Sequence, residues 1–234
     1  MIEGNPVENH ILVLGSTGGV GKSVAAKFIK YGWNVTGLSR RLNQELKNNI
    51  VVEDFLNLDL INSIAEGIIK KQGQIHCIVN CIGQWGDQKR IQGEHDFPVT
   101  GWDQDVFNSN FIIADVMFRK FVPILLKQNN GRFITISSVD AIYPNTNSFT
   151  SSCSKSAVTT LSNLYKKKYR DTDVNFDVLH PGGVNTGMRK NNEDKSLIIQ
   201  PEDIASLCYF LANTDKRVSF DEIIFTPKRF QYFK

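Results

Sequence analysis

At 234 residues, with 41% hydrophobic side chains and a formal net charge of +3, the chain is long enough to bury a core without disulfides and too near neutrality to suggest nucleic acid as a partner. No apolar run approaches the ~20 residues of a membrane span, and Met1-Ile2-Glu3-Gly4-Asn5-Pro6 lacks the charged and apolar regions of a signal peptide. The four cysteines, Cys77, Cys81, Cys153 and Cys208, form no Cys-x-x-Cys pair and have no histidine cluster beside them, so reduced thiols in a cytoplasmic protein are expected and no metal site.

The first predicted element is a buried strand, Ile11-Leu12-Val13-Leu14, running into Gly15-Ser16-Thr17-Gly18-Gly19-Val20-Gly21 and then into an amphipathic helix from Ser23 to Ile29. A strand that reverses into a helix through glycines aims backbone N–H groups and the positive end of the helix dipole at one point, which suits a phosphate. The Gly21-Lys22-Ser23 ending fails as a triphosphate loop, because the earlier glycine it needs falls on Ser16; the G-x-G-x-x-G dinucleotide spacing fails as well. What remains is Gly15, three residues, Gly19, one residue and Gly21.

A second strand is expected over 34–39, ending in Ser39-Arg40-Arg41. No acid occurs between Gly21 and Glu45 to hold a ribose 2′-hydroxyl, whereas forked guanidinium donors suit a 2′-phosphate; two solvated arginines are the plainer alternative. Further strands are expected over 50–53, 75–80, 133–138, 174–179 and 222–225. Between them lie helices over 60–71, with Ile61, Ile64, Ile68 and Ile69 on one side, over 102–127, bending or ending near Pro123, and over 201–212. The cationic run Lys166-Lys167-Lys168 fits a helix end. This alternation predicts an α/β chain: one domain over residues 1–234, a Rossmann-like, doubly wound parallel sheet with helices on both faces, and a ligand outside the carboxyl ends of its strands.

Laid out in order, these motifs resemble the short-chain dehydrogenase/reductase family over nearly the full length. The glycine spacing matches the family's turn, although Leu14 stands where the family usually has Thr. The resemblance implies that Gly15, Ser16, Thr17, Gly18, Gly19, Val20, Gly21, Ser39, Arg40, Asp54, Asn80, Gly83, Lys155, Pro181, Gly182, Val184 and Thr186 bind a dinucleotide, NADP in preference to NAD. Asp54 would contact the adenine, Asn80-Cys81-Ile82-Gly83 would stand for the family's Asn-Asn-Ala-Gly, and Pro181 to Thr186 would hold the nicotinamide end. The catalytic set it implies is Asn110, Ser138, Ser151 and Lys155, for hydride transfer between the cofactor and a carbonyl or alcohol. Family members commonly pair through the two long helices, so a homodimer or homotetramer is expected, with a small molecule as the other partner.

One departure bears on the chemistry. The family's Tyr-x-x-x-Lys should begin thirteen residues after Ser138, and the chain reads Ser151-Ser152-Cys153-Ser154-Lys155. A phenol can be brought toward neutrality by a neighbouring ammonium; an aliphatic hydroxyl is a far weaker acid and a ring shorter. Tyr143 is more simply a loop aromatic before Pro144 than a phenol supplied from another direction. Two other readings therefore stay open: an NADP-binding sensor or partner subunit of weak activity, and a variant disabled at Ser151. Lys89, Arg90, Arg189 and Lys190 would be available to a negatively charged substrate, although solvated loop charges explain them more commonly.

Overall fold

The first strand, β1 (His10–Leu14), is buried at every residue because both of its faces are covered. Side chains alternate across a strand, so Ile11 and Val13 enter one apolar cluster and Leu12 and Leu14 the other. An unbroken apolar run rather than an alternating one follows from that two-sided burial.

In the computed structural model, which describes residues 9–85, 101–145, 148–187 and 197–228, β1 lies near the middle of a seven-stranded sheet. The others are β2 (Asn34–Ser39), β3 (Asn48–Val51), β4 (Cys77–Asn80), β5 (Gly131–Ile136), β6 (Val174–Pro181) and β7 (Ile223–Phe225). Every pairing is parallel, in the order β3-β2-β1-β4-β5-β6-β7. The chain builds outward from β1 to β3, then crosses to the other side of β1 and builds outward again to β7. The order therefore reverses between β1 and β4, and a crevice opens at their carboxyl ends.

Helices α1 (Gly19–Lys30) and α6 (Pro201–Ala212) cover one face through Val24, Ala25, Phe28, Ile204, Ala205, Cys208 and Leu211. Helix α2 (Leu58–Gln72) packs Ile61, Ala65 and Ile68 on the other, beside Met117, Phe118, Phe121, Val122 and Leu125 of α4 (Ile113–Gln128). The Asn57 side chain starts α2 by accepting from the Leu60 N–H at 3.0 Å. The doubly wound parallel sheet expected from the sequence is the one found.

The long helix differs from expectation. It begins as α3 (Gly101–Phe107), widens into one π turn over Asn108–Ile112, and resumes as α4. Pro123 does not end it: the residue is exposed, and α4 runs on to Gln128, where Asn129 takes a left-handed φ of 45° and closes the helix. Helix α5 (Phe149–Lys168) includes both Ser151 and Lys155 and ends in the expected lysine run. Among the described residues, no helix is long and apolar enough to cross a membrane.

Candidate active site

The glycine turn sits at the crevice because the backbone of β1 meets both neighbours there. The Gly15 N–H donates to the Leu38 carbonyl at 2.7 Å, and the Cys81 N–H donates to the Leu14 carbonyl at 2.9 Å. Gly15 has φ +81°, and a Cβ on it would lie 3.1 Å from the Cys81 carbonyl carbon. A Cβ on Gly21 would collide with the Gly15 carbonyl oxygen. These two glycines are thus required by the tightness of the turn. No side chain caps the first turn of α1 and no acid lies in it, which suits an anion at that helix start.

Two further glycines show which distant segments meet. A Cβ on Gly19 would come 3.1 Å from Cγ2 of Thr186, so the loop after β6 closes over the turn. A Cβ on Gly83 would lie 2.9 Å from the Lys155 Nζ and 3.0 Å from the Asn110 Oδ1, so the loop after β4 passes directly over the lysine of α5 and the asparagine of the π turn. Only a residue without a side chain allows so close an approach.

The predicted cofactor residues divide into those that face the crevice and those that build its wall. The Ser16 hydroxyl turns inward, donating to Asn49 Oδ1 at 3.1 Å and to Ser39 Oγ at 3.3 Å, while its carbonyl accepts from Asn43 at 2.8 Å. Ser39 is buried and donates to the Arg41 carbonyl at 2.6 Å, which leaves Arg40 and Arg41 exposed at the rim. Thr17 and Val20 are half-buried and Gly18 is exposed. Asp54 is exposed, with one carboxylate oxygen accepting from the Leu56 N–H at 2.8 Å. Asn80 is buried, and its side-chain oxygen accepts from the Ile82 N–H at 3.1 Å, shaping the turn that carries Gly83. Pro181 ends β6, the Gly182 N–H donates to Phe225, and Val184 pairs with Ile199.

The predicted catalytic residues come from three elements. Ser138, two residues past β5, accepts the Asp140 N–H on its hydroxyl oxygen at 3.1 Å. Asn110 is buried; its amide nitrogen donates to Ser154 Oγ at 2.9 Å and to the Gln84 carbonyl at 3.0 Å, while its oxygen accepts from the Gln84 N–H at 2.7 Å. The extra residue of the π turn points this side chain across to α5. Lys155 donates to the Ile136 carbonyl at 3.0 Å, and burial pulls its pKa down to about 8, opposed by Cys81 and Asp140. Ser151 lies one helical turn before Lys155 and is buried. Tyr143 is exposed in the loop before α5. Lys89, Arg90, Arg189 and Lys190 lie outside the described residues.

Sequence reasoning passed over three residues of this neighbourhood. Ser154 carries the bond to Asn110. Asp140 is buried beside Ser138, with burial raising its pKa against hydrogen bonds from Ser148 and Asn145 and the charge of Lys155. His180 is buried under the Ser138 carbonyl. An acid between Val139 and Ala141 was the one visible signal among these.

Comparison with known proteins agrees with this fold. A family model described as short chain dehydrogenase matches residues 9–197. The 3-oxoacyl-(acyl-carrier-protein) reductase of Thermotoga maritima is 23% identical over 91% of this chain and 94% of its own length. Serine dehydrogenase from Escherichia coli superposes with a TM-score of 0.84 at 21% identity, covering 95% of this chain and 100% of that one. A closed form of serine dehydrogenase complexed with NADP+ does so with a TM-score of 0.83 at 20% identity, over 95% and 96%.

Proposed function

The chain belongs to the short-chain dehydrogenase family, and from that premise we propose that it is an NADP(H)-dependent oxidoreductase interconverting a carbonyl and an alcohol. The observation that carries this reading is the close approach of the Lys155 Nζ and the Asn110 Oδ1 to Gly83, where a Cβ would lie 2.9 and 3.0 Å from them, beside a glycine turn closed by Thr186. Glycine at 19 and 83 lets the backbone pass against Thr186, Lys155 and Asn110 with no side chain between them, and the uncapped first turn of α1 suits phosphates, an arrangement that fits a dinucleotide. Gly15 to Gly21, Asn80, Gly83, Lys155 and the Pro181–Thr186 segment would hold it. When bound, the nicotinamide supplies or accepts a hydride.

The chain's own residues supply the rest. Ser138 donates a hydrogen bond that polarises the carbonyl, and Lys155 holds the ribose hydroxyls and sets a positive charge beside the oxygen where negative charge develops. Asn110 holds the Gln84 backbone and Ser154, which keeps the floor of the site in place. The proton has no phenol to come from, since position 151 is a serine. A lysine brought to about 8 is matched to proton exchange near neutral pH, and we assign that exchange to it.

Ser151 also favours a second reading, an NADP-binding sensor or partner subunit with weak turnover. Both readings are tested by assaying carbonyl-dependent NADPH oxidation while measuring NADPH binding in parallel. Under the first, Ser151→Tyr raises reduction by ~10²–10⁴-fold with little change in NADPH affinity. Brisk turnover by the unaltered chain that slows in Ser151→Tyr would show that the family mechanism does not operate here. Binding without turnover in either form supports the sensor. Arg40 and Arg41 at the rim should favour NADPH over NADH by ~1–3 kcal/mol, and equal affinities by calorimetry would remove that assignment. We also infer a homodimer or homotetramer through α4 and α5, where Leu164 is 58% exposed; a monomer by light scattering would contradict it.

A further inference from the structure

The crevice lies at the carboxyl ends of the strands, and at their opposite ends two histidines meet that the proposed chemistry does not use. His10 opens β1 and is 1% exposed, while His76, the residue before β4, is half-buried. The backbone N–H of His10 donates to the Nδ1 of His76 at 3.0 Å. The His76 N–H in turn donates to the His10 carbonyl at 2.9 Å. Each residue thus holds the other.

The partners fix where the hydrogens are. A backbone N–H only donates, so His76 Nδ1 must offer a lone pair, and the hydrogen of the neutral ring is on Nε2. The sheet gives the His10 N–H no rung of its own. On the β2 side the Asn34 N–H donates to the Asn9 carbonyl, which in a parallel ladder turns the His10 N–H toward β4. There the pairing starts only at Ile11 with Cys77, and the Ile75 carbonyl just before it accepts from the Gln128 side chain at 2.9 Å. The His10 ring is engaged elsewhere: its Nδ1 donates to the Gln74 carbonyl and its Nε2 accepts from the Thr36 hydroxyl, both at 2.9 Å. A second proton on His10 could still bond Thr36, because a hydroxyl rotates to accept. A second proton on His76 would point at an N–H.

We propose that His76 is an acid-released latch at the amino edge of the sheet: its neutral ring accepts the buried His10 N–H, and protonation at Nδ1 breaks that bond and unseats the ring. Release leaves the His10 N–H buried without an acceptor, which destabilises the start of β1. The titratable group facing His76 is His10, from β1. The turn before β2 presents the edge of Trp33, at a ring separation of 6.5 Å, and α4 presents the neutral Gln128. Arg132 of β5 donates its N–H to the His76 carbonyl, and its guanidinium is paired with Asp177. Burial lowers the pKa of both rings from the ordinary 6.5; at His10 the Gln74 carbonyl opposes that shift and His76 adds to it. The unfolded chain therefore takes up these protons first. The stability that depends on neutral rings is whole above pH 6.5 and is lost as the pH falls below it through the folded values. The latch makes no use of the oxidoreductase reading.

The test is NMR on the full chain labelled with ¹⁵N, following the His76 ring nitrogens and the hydrogen-exchange protection of the His10 amide from about pH 8 to about 4.5. At the upper end we expect His76 to carry its hydrogen on Nε2, with Nδ1 bare. As the ring takes up its second proton, the His10 protection factor should fall by about tenfold or more, while that of Ile134 in β5 changes by less than about twofold. In His76→Asn, whose side-chain oxygen accepts at every pH, the His10 amide should stay protected over the same range. In His76→Phe, which has no acceptor, it should be weakly protected throughout. A hydrogen on Nδ1 at pH 8 would overturn the latch, as would a His76 ring that stays neutral until the chain unfolds. So would a fall in His10 protection that persists in His76→Asn or is shared equally by Ile134, since either marks general acid unfolding.

Discussion

Helices α1 and α5 both begin at the candidate site, and they are anchored by opposite kinds of contact. Helix α1 is held by shape: Val24, Ala25 and Phe28 fill the core, and Phe28 meets the edges of Trp33 and Tyr209 at ring separations of 5.0 and 5.3 Å. Helix α5 buries Ser151, Ser152, Ser154, Thr159 and Ser162 with a single valine, Val158. Small hydroxyls let α5 approach closely, and hydrogen bonds replace the missing apolar area: Ser137 with Thr159 at 2.8 Å, Ser154 with Asn110 at 2.9 Å, Ser137 with the Lys155 carbonyl at 3.2 Å. Cofactor phosphates need a rigid turn, which packing supplies. A site that handles protons needs polar groups with defined directions, which hydrogen bonds supply.

The largest effect should come from removing apolar volume under α1. Phe28→Ala should cost about 3–5 kcal/mol and lower the melting temperature by roughly 10 °C or more, read by calorimetry. A loss near 1 kcal/mol would mean that the contrast with α5 is overstated.

The next effect concerns the one charge buried by α5. Because burial lowers Lys155 to about 8 from an ordinary 10.5, the folded chain binds fewer protons than the unfolded chain between those values. Its buried charge is therefore unfavourable below pH 8, by up to about 3 kcal/mol, and stability rises as the pH climbs toward 10.5. NADPH affinity should move the other way, falling above pH 8 as the ammonium is lost. Melting curves and NADPH titrations over that range should show opposed slopes, both absent in Lys155→Met.

The smallest effects separate two serines of the same helix. Ser154→Ala leaves one N–H of buried Asn110 without its acceptor and should cost about 1–3 kcal/mol. The Ser162 hydroxyl is buried with no hydrogen-bond partner among the described residues, so Ser162→Ala should be neutral or stabilise by up to about 1 kcal/mol. Equal losses in urea denaturation would show that α5 is held by its volume and not by its bonds.

That contrast also explains what could be read from the chain beforehand. The strands under α1 and the turn before it are apolar runs and spaced glycines, which carry their structure in their composition. The edge strand β3 came out at Asn48–Val51 instead of 50–53, because Asn48 and Asn49 pair with Thr36 and Gly37 without looking like strand residues. The inner face of α5 carries no apolar periodicity to announce it, since Ser154 and Ser162 are among the residues inside. The bond between His180 and the Ser138 carbonyl joins positions 42 residues apart and has no local signature. Ser151 was visible from the start, because an absent ring in a known spacing needs no structure to be noticed.

The π turn at Asn108–Ile112 has a consequence for how the long helix can be altered. One surplus residue in a helix advances everything after it by about 100° of rotation. α3 and α4 are therefore out of phase with each other, and the phase difference resides in five residues around Asn110. Deleting a single residue there would let the helix become regular and still keep its length to within one rise. It would also swing Asn110 away from Ser154 and Gln84 while α4 kept its seat on the sheet. The turn thus works as a phase shifter, setting the angle of the site's asparagine independently of the packing of the helix that bears it.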